Sequence, residues 1–271
     1  MDVDRRSDGH QPTVDATRRA VATMSRVIKS YGDNRVLSGV DLSLIEGEVC
    51  GLMGRNGVGK TTLMQILLGL IAADGGVVEV LDHIPPGDDL LSAGQIGVVS
   101  DGPWFPAWMR VRDAVDLTGA FYPVWDTAGI ERRLRDGGIG RDQKISDLSR
   151  GMKTVLLWSL ALASRPRLLV LDEPMTGLDP VVRRDAADWL RSERQRGAAV
   201  LISSHLTGDL AGSCDRIMVL DHGTFVAELP GDLPAAALQN RFCELVAGPA
   251  EPPATDRSGD NWAGPPVGGP P

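Results

Sequence analysis

Hydrophobic positions along the chain follow two different patterns. Near the N-terminus they alternate with polar residues, as in residues 25–29 and 40–44, which is typical of antiparallel strands with one solvated face. Later runs are continuous and apolar, as in residues 168–171 and 198–202, which indicates parallel strands buried on both faces. Helical patterns separate these later strands. The chain is therefore predicted to have an α/β fold with antiparallel additions.

Caps and turns place further elements in this pattern. The pair Asp179-Pro180 offers a helix N-cap followed by proline at the first helical position, and Gly197 offers a helix end. Residues 218–228 are predicted to form a β-hairpin. Residues from about 102 to 165 carry helical periodicity between two core strands. They are predicted to form a helical insertion.

Residues 54–62 carry the strongest chemical signal in the chain. They read Gly-Arg-Asn-Gly-Val-Gly-Lys-Thr-Thr, which fits the phosphate-loop pattern G-x-x-x-x-G-K-[ST]. An apolar run precedes them and an apolar-periodic stretch follows, so the loop joins a strand to a helix. The glycines let backbone N–H groups turn toward phosphate oxygens, and the helix presents its positive end. The predicted nucleotide-binding residues are Gly54, Arg55, Asn56, Gly57, Val58, Gly59, Lys60, Thr61 and Thr62.

Two carboxylates follow the first continuous apolar run. Asp172 and Glu173 precede a proline, which cannot continue a central strand, so they are expected at the strand end where α/β sheets bind ligands. Asp172 would hold Mg²⁺, directly or through water, together with the Thr61 hydroxyl. Glu173 would accept a proton from the water that attacks the γ-phosphate, while Lys60 would contact the β- and γ-phosphates.

A helix start precedes this strand. In the run Leu148-Ser149-Arg150-Gly151-Met152, Ser149 is predicted to be the N-cap of an apolar helix. Such a helix start can bind an anion, although the local residues taken alone favour a plain capped helix.

Composition restricts the class of protein. With 271 residues, 42% hydrophobic and 24% charged, the chain has the make-up of a soluble globular protein with a sizeable core. Its formal net charge of −8 argues against a nucleic-acid partner. Cys50, Cys214 and Cys243 have no metal-ligand spacing and are interpreted as reduced, buried thiols. No apolar run is long enough to span a bilayer, so a membrane span would have to come from another chain.

The ends of the chain differ from its middle. Residues 1–20 are polar and residues 248–271 are rich in proline and glycine, so both are predicted to be disordered. Residues 21–247 are predicted to form the folded domain.

The ordered set of motifs resembles the nucleotide-binding subunit of an ABC transporter. The set comprises residues 54–62, 148–151, 171–174, 177–180 and 203–205, and the similarity covers about residues 23–230. The resemblance implies a P-loop NTPase core with an antiparallel β subdomain and an inserted helical subdomain. It also implies ATP and Mg²⁺ as cofactors, ATP hydrolysis, a second ABC subunit and a separate integral membrane permease. The expected location is the cytoplasmic face of a bacterial membrane.

The same resemblance implies roles for residues outside the phosphate loop. Tyr31 matches the aromatic that stacks on adenine, and Asp179 belongs to the loop that communicates across a dimer. His205 matches a switch histidine that contacts the γ-phosphate. Leu148, Ser149, Arg150, Gly151 and Met152 match the signature that grips ATP bound to the partner subunit. Plainer interpretations remain for three of these residues: Tyr31 as a turn aromatic, Asp179 as a helix cap and His205 as an ordinary strand-end histidine.

The chain departs from the family pattern at two positions. Asp101 stands where the family usually has glutamine, and a shorter carboxylate is still a suitable Mg²⁺ ligand. Arg150 replaces the usual glycine at the third signature position. Because Ser149 and Gly151 are kept, the signature is expected to function.

A finer resemblance concerns the kind of transporter. Residues 121–126, 149–153 and 177–183 resemble a bacterial subgroup that serves ABC-2-type exporters related to the Ytr systems. Aromatic residues cluster where such subunits receive the coupling helix of the permease, and core packing is the alternative explanation for them. The cluster comprises Trp104, Phe105, Trp108, Phe121, Tyr122 and Trp125.

Two other functions are compatible with the fold. One is an ABC-type ATPase of translation or DNA maintenance, which typically has two such domains or a long coiled coil, and this chain has neither. The other is a nucleotide-dependent regulatory switch without catalysis, which the presence of Glu173 and His205 disfavours.

Overall fold

The computed structural model describes residues 19–85, 94–100 and 104–246. The strands in this part of the chain are β1 (Ala20–Tyr31), β2 (Asn34–Ile45), β3 (Val49–Met53), β4 (Gly75–Val80), β5 (Ile96–Val99), β6 (Leu168–Asp172), β7 (Ala199–Ser204), β8 (Arg216–Asp221) and β9 (Thr224–Pro230). The α-helices in the same ranges are α1 (Lys60–Leu67), α2 (Val111–Gly119), α3 (Thr127–Asp136), α4 (Arg150–Ala163), α5 (Pro180–Gln195), α6 (Thr207–Leu210) and α7 (Ala235–Val246). The predictions for the two chain ends lie almost wholly outside these ranges and stay predictions.

The strands form two sheets of different kinds. The larger sheet has the order β5-β6-β7-β3-β8-β9 and is parallel except for β9, which pairs antiparallel with β8. The smaller sheet, β2-β1-β4, is antiparallel. The alternating segments therefore lie in the antiparallel sheet and the continuous apolar segments in the parallel one. The predicted α/β fold class is confirmed.

The larger sheet has a hydrophobic core on each face. Leu169 and Leu171 of β6 pack with the helices of the inserted segment, whereas Leu168 and Val170 pack with α1 and the smaller sheet. Successive side chains of a strand point to opposite faces, so a strand between two cores must be apolar throughout. This requirement explains the continuous pattern in the sequence.

The segment between β5 and β6 contains α2, α3, a 3₁₀ helix at Ile145–Asp147, and α4. Trp158 of α4 is fully buried, and its Nε1 donates a hydrogen bond to the carbonyl oxygen of Pro174 at 3.3 Å. Its ring packs at a tilt against Trp189 of α5, with centroids 5.6 Å apart. Trp158 thus joins the inserted helices to the loop that follows β6.

The smaller sheet is attached to the larger one through β8 and its hairpin. Arg216 forms an ion pair with Glu48 at 2.8 Å and donates a hydrogen bond to the carbonyl oxygen of Ser43 on β2. In the hairpin turn, Gly223 has φ +74°, and a Cβ there would lie 2.5 Å from the carbonyl oxygen of Val36. A side chain at this turn would push β2 away from the larger sheet.

The aromatic cluster divides between core and surface. Phe105 and Trp125 pack against the core, and Trp125 also stacks on Tyr122 with centroids 5.3 Å apart. The exposed members are Trp104, Trp108 and Phe121. Core packing therefore accounts for only part of this cluster.

The cysteine prediction was partly wrong. Cys50 is buried and Cys214 is half-buried, but Cys243 is exposed on α7. None of the three forms a disulfide. Cys243 lies five residues after Leu238, the buried residue of α7, so its side chain points away from the buried side of the helix.

Among the described helices, none combines the length and hydropathy that crossing a bilayer would require.

Replacing Trp158 by alanine is expected to lower the free energy of unfolding by about 3–5 kcal/mol, because a large buried ring is removed. Trp108, which is 72% exposed, provides the matched control, and its alanine variant should change the free energy by less than about 0.5 kcal/mol. Urea denaturation of both variants measures the difference. Equal effects would contradict the packing described for Trp158.

Candidate functional site

A cavity of about 500 Å³ lies at the carboxyl ends of the parallel strands. Its lining joins the phosphate loop, the end of β6 and the end of β7. The lining residues are Val36, Arg55, Asn56, Gly57, Gly59, Lys60, Thr61, Thr62, Arg150, Asp172, Glu173, Thr176 and His205. Most of the residues predicted for nucleotide binding and catalysis therefore meet in one place, whereas Gly54 and Val58 support the loop from outside the cavity.

The phosphate loop connects β3 to α1 and depends on glycine. Gly59 is the N-cap of α1 with φ +114°, and a Cβ there would lie 3.0 Å from Leu37 Cδ2. Gly54 allows a similarly close approach, since a Cβ would lie 2.6 Å from the carbonyl oxygen of Leu220. A side chain at either position would displace the loop from the body of the protein.

Lys60 is the buried cation of the cavity, with 6% of its surface exposed. Its Nζ donates hydrogen bonds to the carbonyl oxygens of Gly54 at 2.7 Å and Arg55 at 3.3 Å. Burial lowers the pKa of Lys60, while the negative charges of Glu173 and Asp172 oppose that shift. The ammonium group is therefore held against the carbonyl groups of the phosphate loop.

Asp172 is held by two hydroxyl groups at the end of β6. Thr61 Oγ1 donates to one carboxylate oxygen at 2.8 Å, and Ser203 Oγ donates to the other at 2.6 Å. Ser203 Oγ also accepts a hydrogen bond from the backbone N–H of Glu173 at 3.0 Å. Ser203 was not among the predicted site residues. Its signal in the sequence is its position two residues before His205, at the end of an apolar strand.

Glu173 has a strained backbone and a paired side chain. Its φ of +50° lies in the left-handed region, which is unfavourable for a residue other than glycine. Its Oε2 is 2.8 Å from His205 Nδ1, and its Oε1 is 3.7 Å from Lys60 Nζ. Within the described residues Oε1 accepts no hydrogen bond, so it retains capacity to accept a proton or a hydrogen bond from water.

The side-chain oxygen atoms of the cavity decide whether a metal ion could bind there. Within residues 19–85, 94–100 and 104–246 there is no cluster of three His, Cys, Asp or Glu side chains that would hold a metal by itself. Thr61 and Asp172 nevertheless place two oxygen atoms 2.8 Å apart at the cavity. Mg²⁺ commonly takes only one or two protein oxygens and completes its shell with water and phosphate, so this pair fits Mg²⁺ bound with a nucleotide. The predicted ligand Asp101 lies outside the described residues.

The predicted signature residues form the start of α4. Ser149 is the N-cap and accepts a hydrogen bond from the Met152 N–H at 3.1 Å, as the cap prediction required, and Leu148 is buried. The Arg150 side chain reaches the cavity across Gly177, whose Cβ would lie 3.0 Å from Arg150 Cδ. Ser149, Gly151 and Met152 do not line the cavity of their own chain.

Tyr31 and Asp179 also lie outside the cavity lining. Tyr31 is half-exposed at the β1–β2 turn, with Lys29 Nζ 5.6 Å from its ring centroid. Asp179 caps α5 and accepts hydrogen bonds from the N–H groups of Val181 at 2.9 Å and Val182 at 3.1 Å. The cap function of Asp179 is therefore present, and any dimer function is additional to it.

Comparison with known proteins gives a consistent result. Residues 37–176 match the protein family described as ABC transporter. The Nod factor export ATP-binding protein I of Neorhizobium galegae is 33% identical, over 81% of this chain and 65% of that protein. The protein of the same name from Paraburkholderia xenovorans is 31% identical, over 84% of this chain and 76% of that protein. This chain spans slightly less than two thirds of the Neorhizobium protein.

Solved structures have the same fold. The ATP-binding subunit of an ABC transporter superposes with a TM-score of 0.73 and 23% identity, over 83% of this chain and 99% of that one. A nucleotide-free ATP-binding cassette from an ABC transporter superposes with a TM-score of 0.68 and 23% identity, over 82% and 94%.

Replacing Gly59 by alanine is expected to lower the free energy of unfolding by about 1–3 kcal/mol, because alanine is strained at φ +114°, and to weaken nucleotide binding. Gly140 has no such φ, and its Cβ would meet Gln143 at an ordinary 3.6 Å, so Gly140→Ala is the control. Urea denaturation and a fluorescent-nucleotide titration measure the two effects. Unchanged nucleotide affinity in Gly59→Ala would show that the loop does not bind phosphate.

Proposed function

Because this chain belongs to the ABC transporter family, we propose that it is an ATP-binding and ATP-hydrolysing subunit that powers a transporter. The observation that carries this proposal is the arrangement of Glu173, which lies beside the phosphate-loop lysine and 2.8 Å from His205. A proton acceptor next to a phosphate-binding loop is the arrangement that hydrolysis of a nucleoside triphosphate needs.

Different residues of the cavity have different roles in the proposed hydrolysis. The loop N–H groups and Lys60 bind the phosphates and offset their negative charge. A water molecule attacks the γ-phosphorus, its proton passes to the Glu173 carboxylate, and ADP leaves with the electron pair of the broken P–O bond. His205 contacts Glu173 through Oε2, which leaves Oε1 as the oxygen that would accept the proton.

Thr61 and Asp172 would hold the Mg²⁺ ion, which supplies charge neutralisation for the phosphate oxygens when it is bound. The Ser203 hydroxyl keeps Asp172 oriented through the 2.6 Å hydrogen bond. The same hydroxyl binds the Glu173 backbone. One side chain thus positions both the metal-binding and the proton-accepting carboxylate.

The signature residues support a dimer. Ser149, Gly151 and Met152 form a capped helix start, yet they lie outside the cavity of their own chain. The N-terminus of a helix is a favourable binding site for phosphate, so these residues would complete the cavity of a second ABC subunit. Asp179 caps α5, and the loop that precedes α5 contacts Gly151. Asp179 would therefore lie close to the contact between the two subunits. Tyr31 would stack on adenine at the outer end of the cavity, next to Val36.

The proposed partner outside the ATPase pair is an integral membrane permease. The lining of an apolar groove of about 670 Å³ includes Trp104, Phe105 and Phe121. Trp104 and Phe121 are exposed aromatics, and the groove would receive a permease helix. Relatives named as export ATP-binding proteins support an exporter, and the subunit would then lie on the cytoplasmic face of the membrane. The finer resemblance to Ytr-related exporters stays a prediction.

Replacing Glu173 by glutamine is expected to reduce kcat for ATP hydrolysis by roughly 10²–10⁴-fold, because the proton acceptor is lost, while the affinity for ATP is retained. Glu79, exposed on β4, is the control, and Glu79→Gln should match the wild type. Steady-state phosphate release and nucleotide titration measure these effects. Equally slow hydrolysis by wild type and Glu173→Gln would instead support a nucleotide-dependent switch.

The Glu173→Gln variant is also expected to form a stable dimer with MgATP, since hydrolysis no longer reopens the pair. Adding Ser149→Arg should restore the monomer, because the new side chain would block the phosphate contact across the interface. Ser192→Arg, on the exposed face of α5, is the control and should leave the dimer intact. Size-exclusion chromatography with light scattering, with and without ATP, measures both. Monomers under all conditions would contradict the shared site.

A further inference from the structure

Asp209 is a buried carboxylate that the proposed hydrolysis does not use. It lies on α6, four residues after His205, and only 3% of its side chain is exposed. One carboxylate oxygen accepts a hydrogen bond from Ser204 Oγ at 3.0 Å, and the other lies 3.3 Å from Arg183 Nη1. A buried charge without partners is strongly destabilising, so both contacts constrain how α6 can pack.

The Ser204 hydroxyl connects Asp209 to the backbone around His205. Ser204 Oγ donates to Asp209 and accepts a hydrogen bond from the Leu206 N–H at 3.0 Å. The two residues that flank His205 are therefore tied to one buried carboxylate. The imidazole itself is 40% exposed and contacts Glu173, so its placement depends on the backbone that this network holds.

Arg183 connects the same network to α5. It lies one helical turn after Asp179, the N-cap of α5. A helix is rigid over one turn, so the ion pair fixes the position of α6 relative to the N-terminal turn of α5. The Arg183 side chain is 45% exposed, whereas that of Asp209 is buried, so Arg183 is the partner of this ion pair that solvent reaches.

We infer that Arg183 and Asp209 are positioning residues for His205. The pair holds residues 204–206 in the turn that brings the His205 imidazole to Glu173, and it joins this turn to the N-terminal end of α5. This inference rests on the proposed ATPase function, because the placement of His205 matters to catalysis only if Glu173 accepts a proton there.

The test compares Arg183→Gln with Arg183→Lys and with Arg184→Gln. Arg184 is exposed on the same helical turn and belongs to no contact of the network, so it is the matched control. Arg183→Gln is expected to lower kcat for ATP hydrolysis by roughly 10–100-fold with KM within about twofold, because misplacing a reacting group acts on the transition state. Arg183→Lys should recover most of the activity, and Arg184→Gln should match the wild type. Ser204→Ala, which leaves the ion pair in place, should resemble Arg183→Gln.

A second readout does not depend on hydrolysis. The chain has four histidines, so NMR of protein labelled in the histidine rings gives few signals. Arg183→Gln should shift or broaden the His205 ring signal and leave those of His83 and His222 unchanged. If the ring signal moves but the wild type does not hydrolyse ATP, the positioning is supported and the proposed function has failed. An unmoved signal with wild-type kcat, or a loss of thermal stability alone, would overturn the inference.

Discussion

The pairing of β6 with β7 is the constraint on which the site depends. Their parallel register places Asp172 opposite Ser203, and the Ser203 hydroxyl bonds both the Asp172 carboxylate and the Glu173 backbone. His205, two residues further along, then reaches Glu173. A one-residue slip would turn these side chains to the other face of the sheet. The apolar cores on both faces resist that slip, because every side chain of the two strands except Asp172 is buried.

The same constraint explains how a strained residue persists at the site. A non-glycine backbone at φ +50°, as in Glu173, destabilises the folded state by about 1–3 kcal/mol. Such strain persists only where several surrounding contacts hold the residue in place. Glu173 is held at its N–H by Ser203 and at its side chain by His205. The following residue, Pro174, is held by the buried Trp158. A displacement of α4 would therefore also displace Glu173. The same helix begins at the signature residues.

The site thus lies where three parts of the fold meet. The parallel sheet supplies the loop and the carboxylates, the antiparallel sheet supplies Val36 through its contact with Gly223, and the inserted helices supply Arg150. The start of α4 and the loop before α5 are in close contact, since a Cβ on Gly151 would lie 3.0 Å from the carbonyl oxygen of Gly177. Close packing of this kind transmits displacement rather than absorbing it.

Local patterns in the sequence determined the classes of the strands, the phosphate loop, and the caps at Ser149 and Asp179, because each depends on neighbours within a few residues. Only the tertiary structure decided which distant groups meet. The contact of Glu173 with His205, the hydrogen bonds of Ser203 and the pairing of Arg183 with Asp209 each join segments separated by many residues. The spacing of hydrophobic residues along the sequence does not predict such contacts. They depend on the order of the strands in the sheet, and on the requirement that a buried charge be paired with another group.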